Sequence, residues 1–368
     1  MCSRSLMNTG GIARRLVDLA KVLVGWLPGS LAQISVVANA LFGAISGSAV
    51  ASAATVGSML SPLQRKAGYN MPLCAAANVA SSPCGLLIPP SGALIVYSLV
   101  SGGTPVDVLF VAGYIPGILM ALSASLWLGV VAGRGGLPRD VQRFSAGEAL
   151  RILLRALPAL AMIAIVMGGI VGGAFTATEA AGVAALYTLL LGVAYRSLSL
   201  RALAKAMLNA AVSTAVVMLM VGVSMAMSWL LTATGAVQAL GQAVVGISSE
   251  PWVLMLAVNV LLLVLGTFLD ITPGLLIFTP IFLPVAVKLG ISPVHFGIVM
   301  VFNLCIGIAT PPVGSTLFVA ARTANVPLSA LTRPLVPMFA FLILALGFVT
   351  FFPQLSLWLP KLLLGKAG

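Results

Sequence analysis

Charge is what this sequence has least of. Only 7% of its 368 residues are Asp, Glu, Lys or Arg, whereas a soluble domain carries roughly 25%. So few charges cannot cover a water-exposed surface, and 60% of the residues are hydrophobic. A bilayer removes the need for a charged surface, because lipid tails accept an apolar exterior. Acids are scarcest, 7 against 19 Lys and Arg, for a net charge of +12. The bases do not form a patch suited to nucleic acid. They lie in short stretches between apolar runs, as in cytoplasmic loops of membrane proteins. There is one histidine, His295. The four cysteines, Cys2, Cys74, Cys84 and Cys305, show no CxxC or metal-ligand spacing. Three lie inside apolar runs and read as small buried hydrophobes. HExxH, nucleophile-elbow and P-loop motifs are missing, so an enzyme is not expected and no cofactor is called for. Residues 1–11 contain no apolar stretch, so no signal peptide is expected.

What is present is apolar runs of two kinds. Residues 108–133, 152–173, 207–232 and 335–352 are long enough to cross the hydrocarbon layer, and 180–195 is a shorter partner to 152–173. Other runs are interrupted. Residues 31–45 and 49–60 flank Ser46-Gly47-Ser48, and 252–268 and 274–287 flank Asp270-Ile271-Thr272-Pro273. Arms too short to span predict re-entrant hairpins. The runs 72–87 and 296–309 meet Pro89-Pro90-Ser91 and Thr310-Pro311-Pro312-Val313-Gly314. Proline removes a backbone donor and blocks the preceding turn, so both spans are expected to be broken helices.

The interrupted elements repeat. Pro62 and Pro284, Gly68 and Gly290, and Pro89-Pro90 and Pro311-Pro312 are each 222 positions apart (284 − 62, 290 − 68, 311 − 89), and Asn39 pairs with Asn259 at 220. Arg14, Arg15, Lys21, Arg65, Lys66, the arginines of 134–155, Arg196, Arg201, Lys205, Arg322 and Arg333 all fall on one side when the spans alternate. By the positive-inside rule that side is cytoplasmic. The first hairpin then enters from inside and the second from outside, so the repeat is inverted. Inverted repeats with broken helices carry their binding sites at the bilayer midplane.

The expected fold is an all-α integral membrane protein, an inverted repeat of re-entrant hairpin plus broken helix. Residues 1–30 are an amphipathic interfacial remnant of a first scaffold. Residues 31–133 form repeat 1 (hairpin 31–62, broken helix 71–100, span 108–133). Residues 134–155 are a cytoplasmic loop and 156–251 the scaffold spans of repeat 2. Residues 252–352 form repeat 2 (hairpin 252–287, broken helix 293–322, span 335–352), and 353–368 a C-terminal tail. Spans matching 152–232 are not found ahead of the first hairpin, so the chain is expected to be short at its N-terminus.

A cation inside a membrane needs oxygen ligands, and unwound backbone frees carbonyls to supply them. In the first unit the candidates are Gly47, Ser48, Ser81, Ser82, Ile88, Pro89 and Ser91; in the second they are Thr267, Asp270, Thr272, Asn303, Thr310, Val313 and Gly314. Hard oxygen donors suit Na⁺. The plain alternative for each hydroxyl is a bond back to its own helix. Half-helix N-termini beside the breaks favour an anionic group such as a carboxylate, and the bases are too peripheral to clamp one. Two readings stand for Asp270, a cation or gating role and an N-cap of the returning arm. Thr176 and Glu179 have capping-box spacing. His295 reads as structural rather than as a proton relay. Residues 236–247 read as an amphipathic surface helix on the outer face.

The segments Gly10-Gly11-Ile12-Ala13-Arg14-Arg15-Leu16, Ile45-Ser46-Gly47-Ser48-Ala49-Val50-Ala51, Ile88-Pro89-Pro90-Ser91, Phe175-Thr176-Ala177-Thr178-Glu179-Ala180-Ala181, Pro293-Val294-His295-Phe296-Gly297 and Thr310-Pro311-Pro312-Val313-Gly314 together resemble one family. It is the large membrane subunit of tripartite ATP-independent periplasmic (TRAP) transporters, the DctM family. The resemblance implies Na⁺-coupled uptake of an organic acid across the bacterial inner membrane. It implies delivery by a periplasmic binding protein and a small four-helix membrane partner. It also implies an elevator motion of hairpins and broken helices against a scaffold of the other spans. Carried over, the family's Na⁺ sites fall on Gly47, Ser48, Ser82, Pro89, Asp270, Asn303, Thr310 and Val313. Ser52 departs from the pattern, which has Asp after Val50-Ala51. A self-sufficient carrier of related architecture and a non-transporting fragment are the competing readings.

Overall fold

A computed structural model describes residues 12–138, 141, 144–194, 200–235 and 250–365. The expected surface helix at 236–247 lies outside them. Among the described residues every regular element is helical. Helix α1 (Ile12–Val24) is amphipathic, with Leu16 and Ala20 fully buried and Arg14 exposed. The first hairpin is α2 (Ser30–Ser46) and α3 (Ala49–Lys66). The first broken helix is α4 (Met71–Ser81), a 3-10 turn at Cys84–Leu86, and α5 (Gly92–Val100). Its closing span is α6 (Val106–Gly133). Three long helices follow, α7 (Ala146–Val171), α8 (Ala177–Ala194) and α9 (Leu200–Ala233). The second hairpin is α10 (Pro251–Gly266) and α11 (Ile271–Lys288). The second broken helix is α12 (Pro293–Gly307) and α13 (Ser315–Ala324), and its closing span is α14 (Leu328–Phe351). The last helix is α15 (Gln354–Leu364).

Six described helices are long and apolar enough to cross a membrane: α6, α7, α8, residues Leu203–Met227 of α9, α11 and α14. The presence of α11 in that group differs from the short arm expected. Its 18 residues reach about 27 Å at 1.5 Å per residue, and its first turn borders a cavity shared with the first hairpin's tip.

The repeat is visible in the packing. The second half of each broken helix packs on the returning arm of the other unit's hairpin, α5 on α11 and α13 on α3. The first half of each packs on the other unit's closing span, α4 on α14 and α12 on α6. Exchanging the units exchanges the contacts, as a two-fold axis requires. Glycine permits the closest approaches. A β-carbon on Gly85 would lie 2.3 Å from the Gly43 backbone, and one on Gly307 would lie 2.7 Å from that of Gly266. Gly85 and Gly307 are themselves 222 apart, so each feeding arm touches its own broken helix at a matched point.

Sidedness agrees with the distribution of bases. Arg65, at the end of the first hairpin, donates to the Ala324 carbonyl at the end of the second broken helix (2.6 Å), and Arg15 reaches the Arg155 carbonyl (3.4 Å). At the opposite end the buried Tyr97 hydroxyl donates to the Pro293 carbonyl (2.6 Å).

Three details differ from the sequence reading. Residues 353–368 are not simply a tail, because α15 packs on α6 and α12. Residues 134–155 are not all loop, because Ser145 and Glu148 form a capping box that starts α7 at Ala146. The closing spans α6 and α14 pack against each other and against both broken helices. They belong to the packed core, not to a separate framework of remaining spans.

Candidate functional site

The two hairpins turn over in different ways and meet. Gly47 adopts φ 59°, a left-handed conformation that L side chains resist, and lets α2 end so that Ser48 can cap α3. The Ser48 hydroxyl accepts from the Ala51 amide (3.4 Å). At the second tip Asp270 caps α11, its carboxylate accepting from the Ile271 amide (2.8 Å). Both tips line one cavity of about 240 Å³, with Gly47, Ser48, Ala49 and Val50 on one side and Asp270, Ile271 and Thr272 on the other. Leu86, Gly92, Ala93 and Val96 from the first broken helix, Ile308 from the second and Val217 of α9 complete the wall. The tips of both hairpins share this wall, so the two turns lie side by side inside the packed helices.

The first turns of α3, α5 and α11 all border this cavity. Helix starts carry the positive end of the backbone dipole and unpaired amides. Among the described lining residues there is no Lys or Arg, and Asp270 is the one ionisable group. An anion held here would therefore be held by backbone and hydroxyl donors.

The breaks themselves are closed by hydroxyls. Pro89 and Pro90 have no N–H for the Gly85 and Leu86 carbonyls, and Pro311 and Pro312 none for those of Gly307 and Ile308. The Ser91 hydroxyl donates to the Leu86 carbonyl and accepts from the Leu94 amide (3.3 Å). The Thr316 hydroxyl donates to the Ile308 carbonyl (3.0 Å). Leu86 and Ile308 are 222 apart, so the two breaks solve one problem in one way. Both Pro-Pro bonds are cis. Gly314 sits where a β-carbon would lie 2.9 Å from both the Ile308 and the Thr310 carbonyl oxygens. These oxygens converge on the space that Gly314 leaves open.

Most hydroxyls singled out from sequence bond back to their own helix. Ser81 donates to Ala77 O (2.6 Å), Ser82 to Val79 O (3.0 Å), Thr267 to Val264 O (2.7 Å) and Thr310 to Ile306 O (2.7 Å). Ser82, Pro89, Thr267, Thr310, Val313 and Gly314 do not line the tip cavity. Gly47 borders a second cavity of about 220 Å³ as well, and Ser91 borders that one alone; it separates the first tip from Met162 and Val166 of α7 and the alanine face of α8.

The buried asparagines connect what the hydroxyls do not. Asn39 donates to Asn78 Oδ1 (2.8 Å) and Ser81 Oγ (2.9 Å), and accepts from Ser52 (2.8 Å). Asn78 in turn donates to the Ala53 carbonyl (2.9 Å). In the second unit Asn303, 222 positions after Ser81, donates to Asn259 Oδ1 (3.0 Å), and Asn259 donates to Thr350 Oγ1 (2.9 Å). Asn303 is fully buried, and its Oδ1 has no hydrogen-bond partner among the described residues. A buried carbonyl without a donor costs about 1–3 kcal/mol unless something fills the position.

Other residues settle into structural roles. His295 is buried, with Nδ1 at 3.4 Å from Ser356 Oγ and Nε2 at 3.3 Å from the Thr350 carbonyl, tying α12 to α14 and α15. Glu179 completes the capping box with Thr176 (2.8 and 3.3 Å) and is exposed. Asn78, Thr316 and Thr350 were not singled out from sequence, and Ser52 stood out there only as a departure from the family pattern. Asn78 was readable, since an amide inside an apolar helix has to find a partner. Thr316 and Thr350 carried no signal apart from other hydroxyls.

The family described as "Tripartite ATP-independent periplasmic transporter, DctM component" matches residues 1–355. The Salmonella typhimurium protein YgiK is 51% identical over 358 residues, 97% of this chain and 82% of that protein. The sialic acid TRAP transporter large permease protein SiaM of Vibrio cholerae is 39% identical over 364 residues, 98% of this chain and 84% of SiaM. Among solved structures, the Alcanivorax borkumensis YdaH transporter matches with a TM-score of 0.58, covering 96% of this chain and 86% of that one. At 15% identity that likeness is one of fold alone.

Proposed function

This chain belongs to the DctM family of tripartite ATP-independent periplasmic transporters, and from that premise we propose that it is the large permease subunit of a Na⁺-coupled importer of an organic acid. It is a multi-pass protein of the bacterial inner membrane and a transporter component, not an enzyme. The observation that supports the finer reading is the meeting of both hairpin tips around one cavity, with Leu86 and Gly92 beside the first helix break and Ile308 beside the second. Three helix starts there favour an anion without a fixed cation, so a carboxylate is bound firmly enough to enter and weakly enough to leave. SiaM is named for sialic acid, itself a carboxylate.

Na⁺ is the ion that suits the donors present. On this reading one Na⁺ takes backbone oxygens near Gly47, Ser48 and Pro89. A second takes Asn303 Oδ1 with oxygens of the break at Thr310 and Val313. Asn303 supports the second assignment, because its buried carbonyl awaits a positive group. Asp270 is the acid nearest the substrate. The packed core of hairpins, broken helices and closing spans moves past α7, α8 and α9. The cavity between the first tip and α7–α8 lies along that boundary. A periplasmic binding protein hands over the acid, and a small four-helix membrane subunit completes the scaffold.

Uptake into proteoliposomes holding this chain and the small subunit tests the proposal, with binding protein loaded with candidate acids. Uptake that needs both an inward Na⁺ gradient and the binding protein is the expected result. Uptake without binding protein would make the chain a self-sufficient carrier, and uptake indifferent to Na⁺ would remove the ion assignment.

A further inference from the structure

Among the described residues, the two-fold relation between the repeats has one open end. At the cytoplasmic end the cleft between hairpin, broken helix and closing span is filled by the chain itself. Tyr69 is 5% exposed and its hydroxyl accepts from the Leu31 amide (3.3 Å). Leu137 is 4% exposed and rests on Gly29, where a β-carbon would lie 2.8 Å from its Cδ1. At the outer end, 222 positions on, Ile291 stands in place of Tyr69. The matching cleft is an open groove of about 330 Å³, walled by Trp252, Met255, Ile291, Phe351 and Leu357.

The floor is mainly apolar, and its polar side chains are largely engaged: the Ser292 hydroxyl accepts from the His295 amide (3.5 Å). His295 engages Ser356 and the Thr350 carbonyl with its two nitrogens, and the Thr350 hydroxyl donates to Leu346 O (2.8 Å) and accepts from Asn259. A polar cargo would leave its own groups unmet there, whereas an apolar chain would not. The groove also continues into the lipid-facing surface. Leu256 and Val260 on α10, and Leu344 and Phe348 on α14, are exposed apolar residues running inward from its mouth. At the rim, Trp252 is 53% exposed, of a residue type that sits at headgroup level. Lys288, next to the groove residue Leu289, is exposed and forms no ion pair among the described residues.

We propose that this outer groove holds an acyl chain of a bilayer phospholipid, with the headgroup phosphate at Lys288. The lipid does at the outer end what Tyr69 and Leu137 do at the inner end. It seals the cleft between the second hairpin and its closing span while leaving a replaceable, fluid filler there.

Native mass spectrometry of the delipidated chain, mixed with dioleoyl phosphatidylglycerol, reads the binding. Wild type is expected to retain a phospholipid at low lipid ratio. Ile291→Tyr, which installs the bulk that closes the inner end, and Lys288→Gln are each expected to weaken retention about tenfold. Both variants should keep the wild-type melting temperature in detergent. If Ile291→Tyr does not fold, Leu357→Trp fills the groove from the other wall. Equal retention in wild type and variants overturns the proposal. So does competition by glycerol 3-phosphate alone, which would mean a headgroup site without an acyl chain. A photo-crosslinker at position 252 that captures a protein in native membranes, and no lipid, also overturns it.

Discussion

Asn39 and Asn259 occupy the feeding arms of the two hairpins, and each reaches across to a broken helix, but only one finds its network complete. Asn39 is surrounded by Asn78, Ser81 and Ser52, which meet its donor and acceptor groups from within the chain. Asn259 has Asn303 and Thr350, and the chain ends at an Asn303 oxygen that nothing described satisfies. The skeleton around them is the same, down to the glycine contacts Gly43–Gly85 and Gly266–Gly307. The two units therefore share a packing geometry that leaves no room for an added atom, and differ in the polar chemistry inside it. The first unit uses its buried amides to hold itself together, and the second keeps one available.

Substitutions at matched positions separate skeleton from chemistry. The largest effect is expected at the glycine contacts. Gly85→Ala should cost about 3 kcal/mol or more, because backbone lies in the way and has no rotamer to yield. Gly307→Ala should cost somewhat less, since its β-carbon would be 2.7 Å from its neighbour rather than 2.3 Å. Thermal unfolding in detergent checks the order, and equal melting temperatures for both variants and wild type would contradict the packing described here.

The next effect divides the units. Asn39→Ala should cost about 2–3 kcal/mol whatever the salt, because it strands several buried groups at once. Asn303→Ala should cost about 1 kcal/mol in choline chloride, since it also removes an unmet carbonyl, and should abolish any stabilisation by NaCl. Melting curves in the two salts decide this, and a Na⁺-dependent rise that survives in Asn303→Ala would remove that residue from the ion site.

Smaller changes should be nearly symmetric. Ser91→Ala is expected to cost about 1–2 kcal/mol, since the hydroxyl both meets the Leu86 carbonyl and caps α5, and Thr316→Val about 1 kcal/mol. Smallest in stability are the tip caps. Ser48→Ala and Asp270→Ala should each cost about 0.5–1 kcal/mol. In uptake assays, however, both should lose most of their activity, because both line the cavity where the units meet. Normal uptake by both would place the substrate elsewhere.

The repeat was legible because its landmarks are prolines and glycines, whose backbone constraints are local and survive at a fixed spacing. The breaks at Pro89-Pro90 and Pro311-Pro312 could be read directly, since a missing N–H interrupts a helix in any context. The capping role of Glu179 was legible for the same reason, being settled within four residues. The candidate site was legible only in outline. Gly47, Ser48, Asp270 and Thr272 proved to face one cavity. Ser82, Thr267 and Thr310 had the same appearance in the sequence and spend their hydroxyls on their own helices. Nothing local distinguishes a serine that turns back from one that faces a cavity.

Composition, hydrophobic run length and the placement of bases were enough to make this a helical membrane protein with two opposed hairpins. Each of those properties is set by the residues of one segment acting against lipid or water. Contact across segments decided the rest. Which closing span joins the core, which tips meet, and which asparagine keeps an unmet oxygen depend on groups some 40 to 260 positions apart in the chain. Those partners are chosen by shape and by hydrogen-bond geometry in three dimensions, and neither is written in the spacing of a single element.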